Sequence, residues 1–288
     1  MVSAALTKKT EEGRDKKRLK KTTQATKASK GYTTQSSYTV LKEIDPANLR
    51  RELGAKPIGS GTFGTCFLAK YREIAVVVKE YKRAECSTKG HSFERRRKEA
   101  AHEARVIQQL GDHPGIPLLF GVISQQQPVS IVLKFHGDGI ESLTLYKAAK
   151  RRKIAKEDWK KIFCDVADAL QHIHRCGYIH NDLKSNNVVL ETNGSSRPKP
   201  VIIDFGKSVL AVNAKKPNAK PLYVREQYKN SYIAPELIDG TSKPSAKTDI
   251  LYVYGLLKFD LPPVVRNALT QPPESRPSIE ILKESLTE

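Results

Sequence analysis

The chain is short of acids, of sulfur and of long apolar runs. Asp and Glu number 31 against 50 Lys and Arg in 288 residues, a formal net charge of +19. That imbalance favours acidic partners: nucleotide, acidic peptide, nucleic acid or an anionic surface. The four cysteines, Cys66, Cys86, Cys164 and Cys176, form no CxxC pair. A disulfide framework is therefore not expected, and reduced thiols in an intracellular protein fit better. No apolar run approaches the roughly 20 residues that a membrane helix needs, so no membrane span is expected. Met1 to Thr7 has no charged region ahead of an apolar core, so no secretory leader is expected either. A cytoplasmic or nuclear protein is the resulting expectation.

The rest of the composition is globular, 39% hydrophobic and 28% charged, and 288 residues can bury a sizeable core in one or two domains. Residues 1–38 stand apart. They are rich in Lys, Thr, Ser and Gln and cannot bury enough apolar area to offset the entropy of ordering, so they read as a basic disordered tail. Lys16 to Lys21 is a basic cluster within it. A solvated tail is the plainer reading, and nucleic-acid contact is the alternative.

Two apolar strands end in acids. Tyr178 to Leu190 places Asp182, Lys184 and Asn187 just before Val188, Val189 and Leu190. Val201, Ile202 and Ile203 then deliver Asp204, Phe205 and Gly206. Two carboxylates and an amide at strand ends can hold a divalent metal and orient a hydroxyl, and Mg²⁺ takes few protein oxygens while keeping water and phosphate. Upstream, Gly59, Gly61 and Gly64 punctuate a loop that leads into an alternating strand. Such glycines let backbone approach phosphate closely, although a hairpin turn would use them too. A dinucleotide fingerprint would lead into a helix instead. Ile74 to Lys79 reads as a buried strand ending in a cation. Phe93 to Leu110 reads as a helix with Ala100, Ala104 and Ile107 on its apolar face. Leu118 to Ile123 and Val129 to Leu133 read as two further strands. From Glu157 to Cys176, Trp159, Ile162, Phe163, Val166, Leu170 and Ile173 recur at helical spacing, and Gly177 suits a left-handed stop. His172, His174, Cys176 and His180 invite a zinc reading. His172 and His174 are two apart and cannot share a helix face, so buried, hydrogen-bonded histidine is preferred.

Taken together, the ordered motifs resemble the protein kinases over about residues 53–285. The resemblance implies a two-lobed α+β fold. Residues 39–135 would form a small antiparallel sheet with one helix, and 136–288 a mainly helical, reduced second lobe. It implies ATP and Mg²⁺ as cofactors and a protein substrate with a Ser or Thr hydroxyl. Ile58, Gly59, Gly61, Phe63, Gly64 and Cys66 would cover the nucleotide. Lys79, held by Glu103, would grip the α- and β-phosphates. Lys134 to His136 would connect the lobes and offer backbone to an adenine edge, with Leu133 at the back of the pocket. Asn187 and Asp204 would hold Mg²⁺. Asp182 would accept or orient the substrate hydroxyl, and Lys184 would neutralise charge on the γ-phosphate. Ala234, Pro235 and Glu236 resemble the close of an activation segment. Asp249 would buttress the catalytic loop, and Glu236 and Arg276 would form a structural ion pair. Asp182, Leu183 and Lys184 look like the Ser/Thr and tyrosine-kinase-like groups.

Four features depart from that pattern. Asn181 replaces the usual arginine, which puts control by loop phosphorylation in doubt. Lys229 stands where a Thr usually contacts the catalytic Asp. The spacing from Asp249 to Gly255 is one residue longer than usual. Only about twenty residues separate Gly255 from Arg276, so the second lobe is expected to lack one or two helices. These departures keep open a nucleotide-binding scaffold without turnover. The Lys147 to Lys161 cluster and the tail keep open a nucleic-acid-binding protein.

Overall fold

The computed structural model describes residues 40–51, 54, 56–61, 64–82, 91–137, 139, 141–151, 154–192, 197–228, 233–256 and 271–287. Residues 39–288 form one compact unit. The two-lobed α+β architecture is the one formed. Its first part is an antiparallel sheet of six strands with the spatial order β1-β3-β4-β6-β5, and β2 pairs with β3 beside β1. The strands are β1 (Leu49–Arg50), β2 (Gly59–Ser60), β3 (Gly64–Tyr71), β4 (Ile74–Tyr81), β5 (Leu119–Ile123) and β6 (Ser130–Lys134). Between β4 and β5 runs α1 (His91–Leu110).

The sheet is sided because β-branched and aromatic residues alternate along β3 and β4. Ala69, Tyr71, Val76, Val78, Ile123 and Val132 pack on one face and are covered by Ile44. The strip carrying Ile44 is tied to β5 by backbone bonds from Ile44 N to Val122 O (2.7 Å) and from Val122 N to Lys42 O (2.8 Å). The opposite face carries Lys79 and looks toward α1, whose Ala100, Ala104, Ile107 and Leu110 are buried as their spacing predicts.

The second part is mainly helical. It contains α2 (Leu145–Lys150), α3 (Lys156–Arg175), α4 (Leu222–Tyr228), α5 (Pro235–Ile238), α6 (Ala246–Leu256) and α7 (Ile279–Thr287). Thr144 caps α2 by accepting from Lys147 N at 3.2 Å. Along α3 the apolar stripe Ile162, Phe163, Val166, Leu170 and Ile173 is fully buried, and it forms the centre of the main core with Leu183, Val188, Leu190 and Ile202. At about 1.5–3 kcal/mol per buried large apolar side chain, this stripe is the principal adhesive of the second lobe. Gly177 ends the helix at φ 82°, a conformation that costs glycine no steric penalty. Helix α6 begins at Ala246, so Asp249 sits in its first turn. Charge there suits the helix N-terminus.

Two short ribbons complete the second part. The first pairs β7 (Tyr178–Ile179) with β10 (Val209–Leu210), and the second pairs β8 (Val188–Glu191) with β9 (Lys199–Ile202), both antiparallel. The ends of these ribbons carry the acids picked out from the sequence. No described helix is long and apolar enough to cross a membrane. Cys66, Cys164 and Cys176 are free thiols; Cys86 lies outside the described residues, as do residues 257–270 of the expected helix deficit.

Candidate active site

Lys79 is the hub. Strand alternation turns it to the cleft side of β4, opposite Cys66 on β3 and Ile131 on β6. Its Nζ donates to Glu103 Oε1 and Oε2, each at 2.8 Å, and to Asp204 Oδ1 at 2.7 Å. Glu103 is wholly buried on α1, so its charge needs partners. It has a second one in the Tyr81 hydroxyl, which donates to Oε2 at 2.5 Å. Burial opposes charge on Lys79, yet Glu103 and Asp204 hold its ammonium well above the ordinary lysine range. Burial likewise pushes the Asp204 carboxyl up, but Lys79 outweighs it and holds it below the usual value. Both groups are therefore charged at neutral pH. Burial drives the neighbouring Cys66 thiol up to about 11, so it stays protonated.

Asp204 sits at φ 68°. A non-glycine residue there stores roughly 1–3 kcal/mol of strain, which persists where surrounding contacts impose it. Those contacts include the Lys79 bond and Phe205, which has no exposed surface and lies edge-on to His180 with ring centres 4.9 Å apart. A Cβ on Gly206 would lie only 3.3 Å from Glu103 Oε2. The turn after Asp204 thus closes directly against the ion-pair chain.

The loop bearing Asp182 is held from beneath. Asp249, fully buried, accepts from His180 N at 2.8 Å and Asn181 N at 2.9 Å, and it is also bonded to His174 Nε2 at 3.0 Å. His180 Nε2 lies 3.1 Å from Ile203 O, one residue before Asp204. Asn181 occupies the left-handed region at φ 62° and donates from Nδ2 to Lys207 O at 3.2 Å. Asn is among the few residues that tolerate this conformation. Asp182 is gripped by two lysines, Lys184 at 3.1 Å on Oδ2 and Lys207 at 3.0 Å on Oδ1. Asn187 donates from Nδ2 to Asp182 O at 2.9 Å, which leaves its amide oxygen as the metal-type donor. Ile203 N bonds Asn187 O at 2.9 Å, so the backbones carrying Asn187 and Asp204 are fixed to each other. A carboxylate and an amide oxygen make a hard donor set that fits Mg²⁺ rather than zinc.

At the lobe connection, Lys134 N and Phe135 N are spent on Leu118 O (2.9 Å) and Ala75 O (3.0 Å). Among the described residues, no acceptor meets His136 N. The His136 ring is held neutral by burial and contacts Glu191 Oε2 at 2.9 Å. Lys134 reaches the same carboxylate at 3.3 Å. Gly59 and Gly61 are exposed, and a Cβ at either would meet nothing within 4 Å. At Gly64 a Cβ would fall 2.3 Å from Glu80 O. Only the third glycine is therefore demanded by the chain's own packing. The first two leave open space for an incoming group. Ile58 lies beside them, half-buried; Phe63, Lys229 and Tyr232 lie outside the described residues. The site's periphery is completed by Arg276, which makes two bonds to Glu236, at 2.6 and 2.8 Å.

The structure thus gathers Lys79, Glu103, Asp204 and Cys66 in one cluster, and Asp182, Lys184 and Asn187 in a second, bound to the first through Ile203. Sequence reasoning missed Tyr81, Lys207 and Glu191. Tyr81 had a signal, since it is two residues after Lys79 on the same strand face. The three histidines of the zinc reading each have a partner: His172 lies 2.6 Å from Leu110 O, and His174 and His180 have the partners given above.

Comparison with known proteins bears directly on this arrangement. The family described as "Protein kinase domain" matches residues 54–281. The chain belongs to the protein kinases. It is 34% identical over 166 residues to "Serine/threonine-protein kinase dkf-1" of Caenorhabditis elegans, covering 57% of this chain and 22% of that protein. It is 35% identical over 156 residues to "Serine/threonine-protein kinase D" of Synechocystis sp., covering 52% and 29%. It is 32% identical over 165 residues to human "Tyrosine-protein kinase TXK", covering 57% and 28%. The kinase chain therefore spans under a third of the length of these relatives. Kinases of this family in general use ATP and Mg²⁺ on protein substrates.

Proposed function

We propose that this kinase domain transfers the γ-phosphate of ATP to protein hydroxyls, Ser or Thr ahead of Tyr. The observation that carries the reading is the unbroken chain from Glu103 through Lys79 to Asp204. It presents a fixed cation and a carboxylate, and Cys66, the strand partner of Lys79, is also the partner of Gly59. Asp182 accepts or orients the substrate hydroxyl, and Lys184 beside it offsets charge on the transferred group. Asn187 and Asp204 would hold Mg²⁺, which would neutralise phosphate charge when bound. His136 N is available to an adenine edge. Ser/Thr preference is supported by Asp182-Leu183-Lys184 and by the names of two of the three similar proteins above.

The alternative is a nucleotide-binding scaffold without turnover, which Asn181, Lys229 and the reduced second lobe keep open. Asn181 itself satisfies Lys207 O from a left-handed conformation that asparagine tolerates. The deciding experiment is Mg²⁺-dependent transfer of labelled γ-phosphate to a generic substrate protein by wild type and Asp182→Asn. A loss of about 10²–10⁴-fold in the variant is expected. Absent transfer in wild type, with ATP still raising the melting temperature, would favour the scaffold.

A further inference from the structure

Between Phe205 and Arg225 the chain carries Lys207, Lys215, Lys216, Lys220 and Arg225 and not one acid. Lys207 and Arg225 are occupied, by Asp182 at 3.0 Å and Asp239 at 3.1 Å. Lys215, Lys216 and Lys220 are exposed, and among the described residues no carboxylate neutralises them. Apolar groups are interleaved with them: Val212, Leu222 and Tyr223 are 86%, 77% and 71% exposed.

The segment is also fixed. Ala211 N bonds Gly177 O at 2.8 Å, Lys220 N bonds Ile238 O at 2.9 Å, and Arg225 Nε bonds Lys220 O at 2.7 Å. Gly240 packs so tightly beneath it that a Cβ would lie 2.6 Å from Ala219 N. A patch already ordered spends little entropy on binding.

We propose that this segment is a docking surface for acidic peptide, selecting substrates whose hydroxyl residue is flanked by Asp or Glu. The proposal rests on the kinase reading above. Charge complementarity supplies the attraction. The basic row begins at Lys207, against the Asp182 carboxylate, so it leads away from the point where the hydroxyl docks. Val212 and Leu222 offer aliphatic contact, and Tyr223 is the single aromatic between Gly206 and Arg225, whereas single-stranded nucleic acid stacks successive bases on several aromatic faces.

The test uses the full chain and two Ser peptides, one flanked by Glu and one by Gly and Ala. Wild type should show a kcat/KM about tenfold or more higher for the acidic peptide. The triple variant Lys215→Glu, Lys216→Glu, Lys220→Glu should lose that preference and keep turnover of the neutral peptide. No preference in wild type, or a preference that survives in the variant, overturns the proposal. If neither peptide is phosphorylated, the kinase reading fails by itself. Fluorescence anisotropy of the labelled acidic peptide then decides the surface: binding lost in the variant upholds it, and no binding overturns it. A single-stranded oligonucleotide that binds wild type more tightly than the acidic peptide at physiological salt, and loses binding in the variant, assigns the patch to nucleic acid and overturns it as well.

Discussion

Tyr81 and Lys79, two residues apart on one strand, share a single carboxylate: both donate to Glu103 Oε2. The buried acid therefore has a neutral and a charged partner. Burial and Glu103 together hold the Tyr81 phenol well above its ordinary range, so it always serves as donor. Tyr81→Phe should cost about 1.5–3 kcal/mol of stability, the scale for a hydrogen bond to a charged group. Lys79→Met should cost more, about 3–5 kcal/mol, because it leaves Glu103 buried without a countercharge. Urea denaturation of both variants checks the order; equal losses would contradict it.

Asn181 should be sensitive to backbone conformation as well as to side-chain chemistry. Asn181→Ala should lose about 1–2 kcal/mol from the left-handed geometry, plus the bond to Lys207 O. Asn181→Gly should recover the first part and not the second. Thermal unfolding that ranks wild type above the Gly variant, and Gly above Ala, is the expected result.

Acid should destabilise the fold through histidine. Burial lowers the pKa of His180, and also those of His136 and His113. Below the ordinary histidine value of 6.5 the unfolded chain takes up protons that the native rings refuse. Stability is therefore complete above that pH and falls as pH drops through it. Each such group adds up to about 1.4 kcal/mol per pH unit. Denaturant midpoints measured from pH 7.5 down to 5.5 should show this slope, and His180→Gln should reduce it by one proton's worth.

Arg276 and Glu236 form a buried pair that joins α5 to the stretch before α7. Arg276→Leu should destabilise by about 3–5 kcal/mol. The double variant with Glu236→Leu should recover much of that, since no lone charge remains. A double-mutant cycle by chemical denaturation measures the coupling.

The sequence disclosed whatever local pattern encodes. The 3.6-residue spacing of α3 and the β-branched run of β4 announced their buried faces. The order of the motifs announced Lys79 with Glu103 and Glu236 with Arg276, pairs 24 and 40 residues apart. What escaped was contact set by register and loop path. Lys207 meets Asp182 only because β10 returns antiparallel along β7, and no local propensity specifies that pairing. Lys134, read as the start of the lobe connection, is met by Glu191 from a strand 57 residues on.

The pairing of β7 with β10 also has a pharmacological consequence. Phe205 is enclosed between Asp204, bonded to Lys79, and Ser208, whose Oγ donates to His180 O and whose carbonyl meets His102 Nε2 at 2.9 Å. A small molecule that needs the Phe205 ring swung outward must unzip the ribbon and strand both bonds at once. Compounds shaped for the inward ring face no such toll, so inhibitor series of the two shapes should separate sharply on this protein.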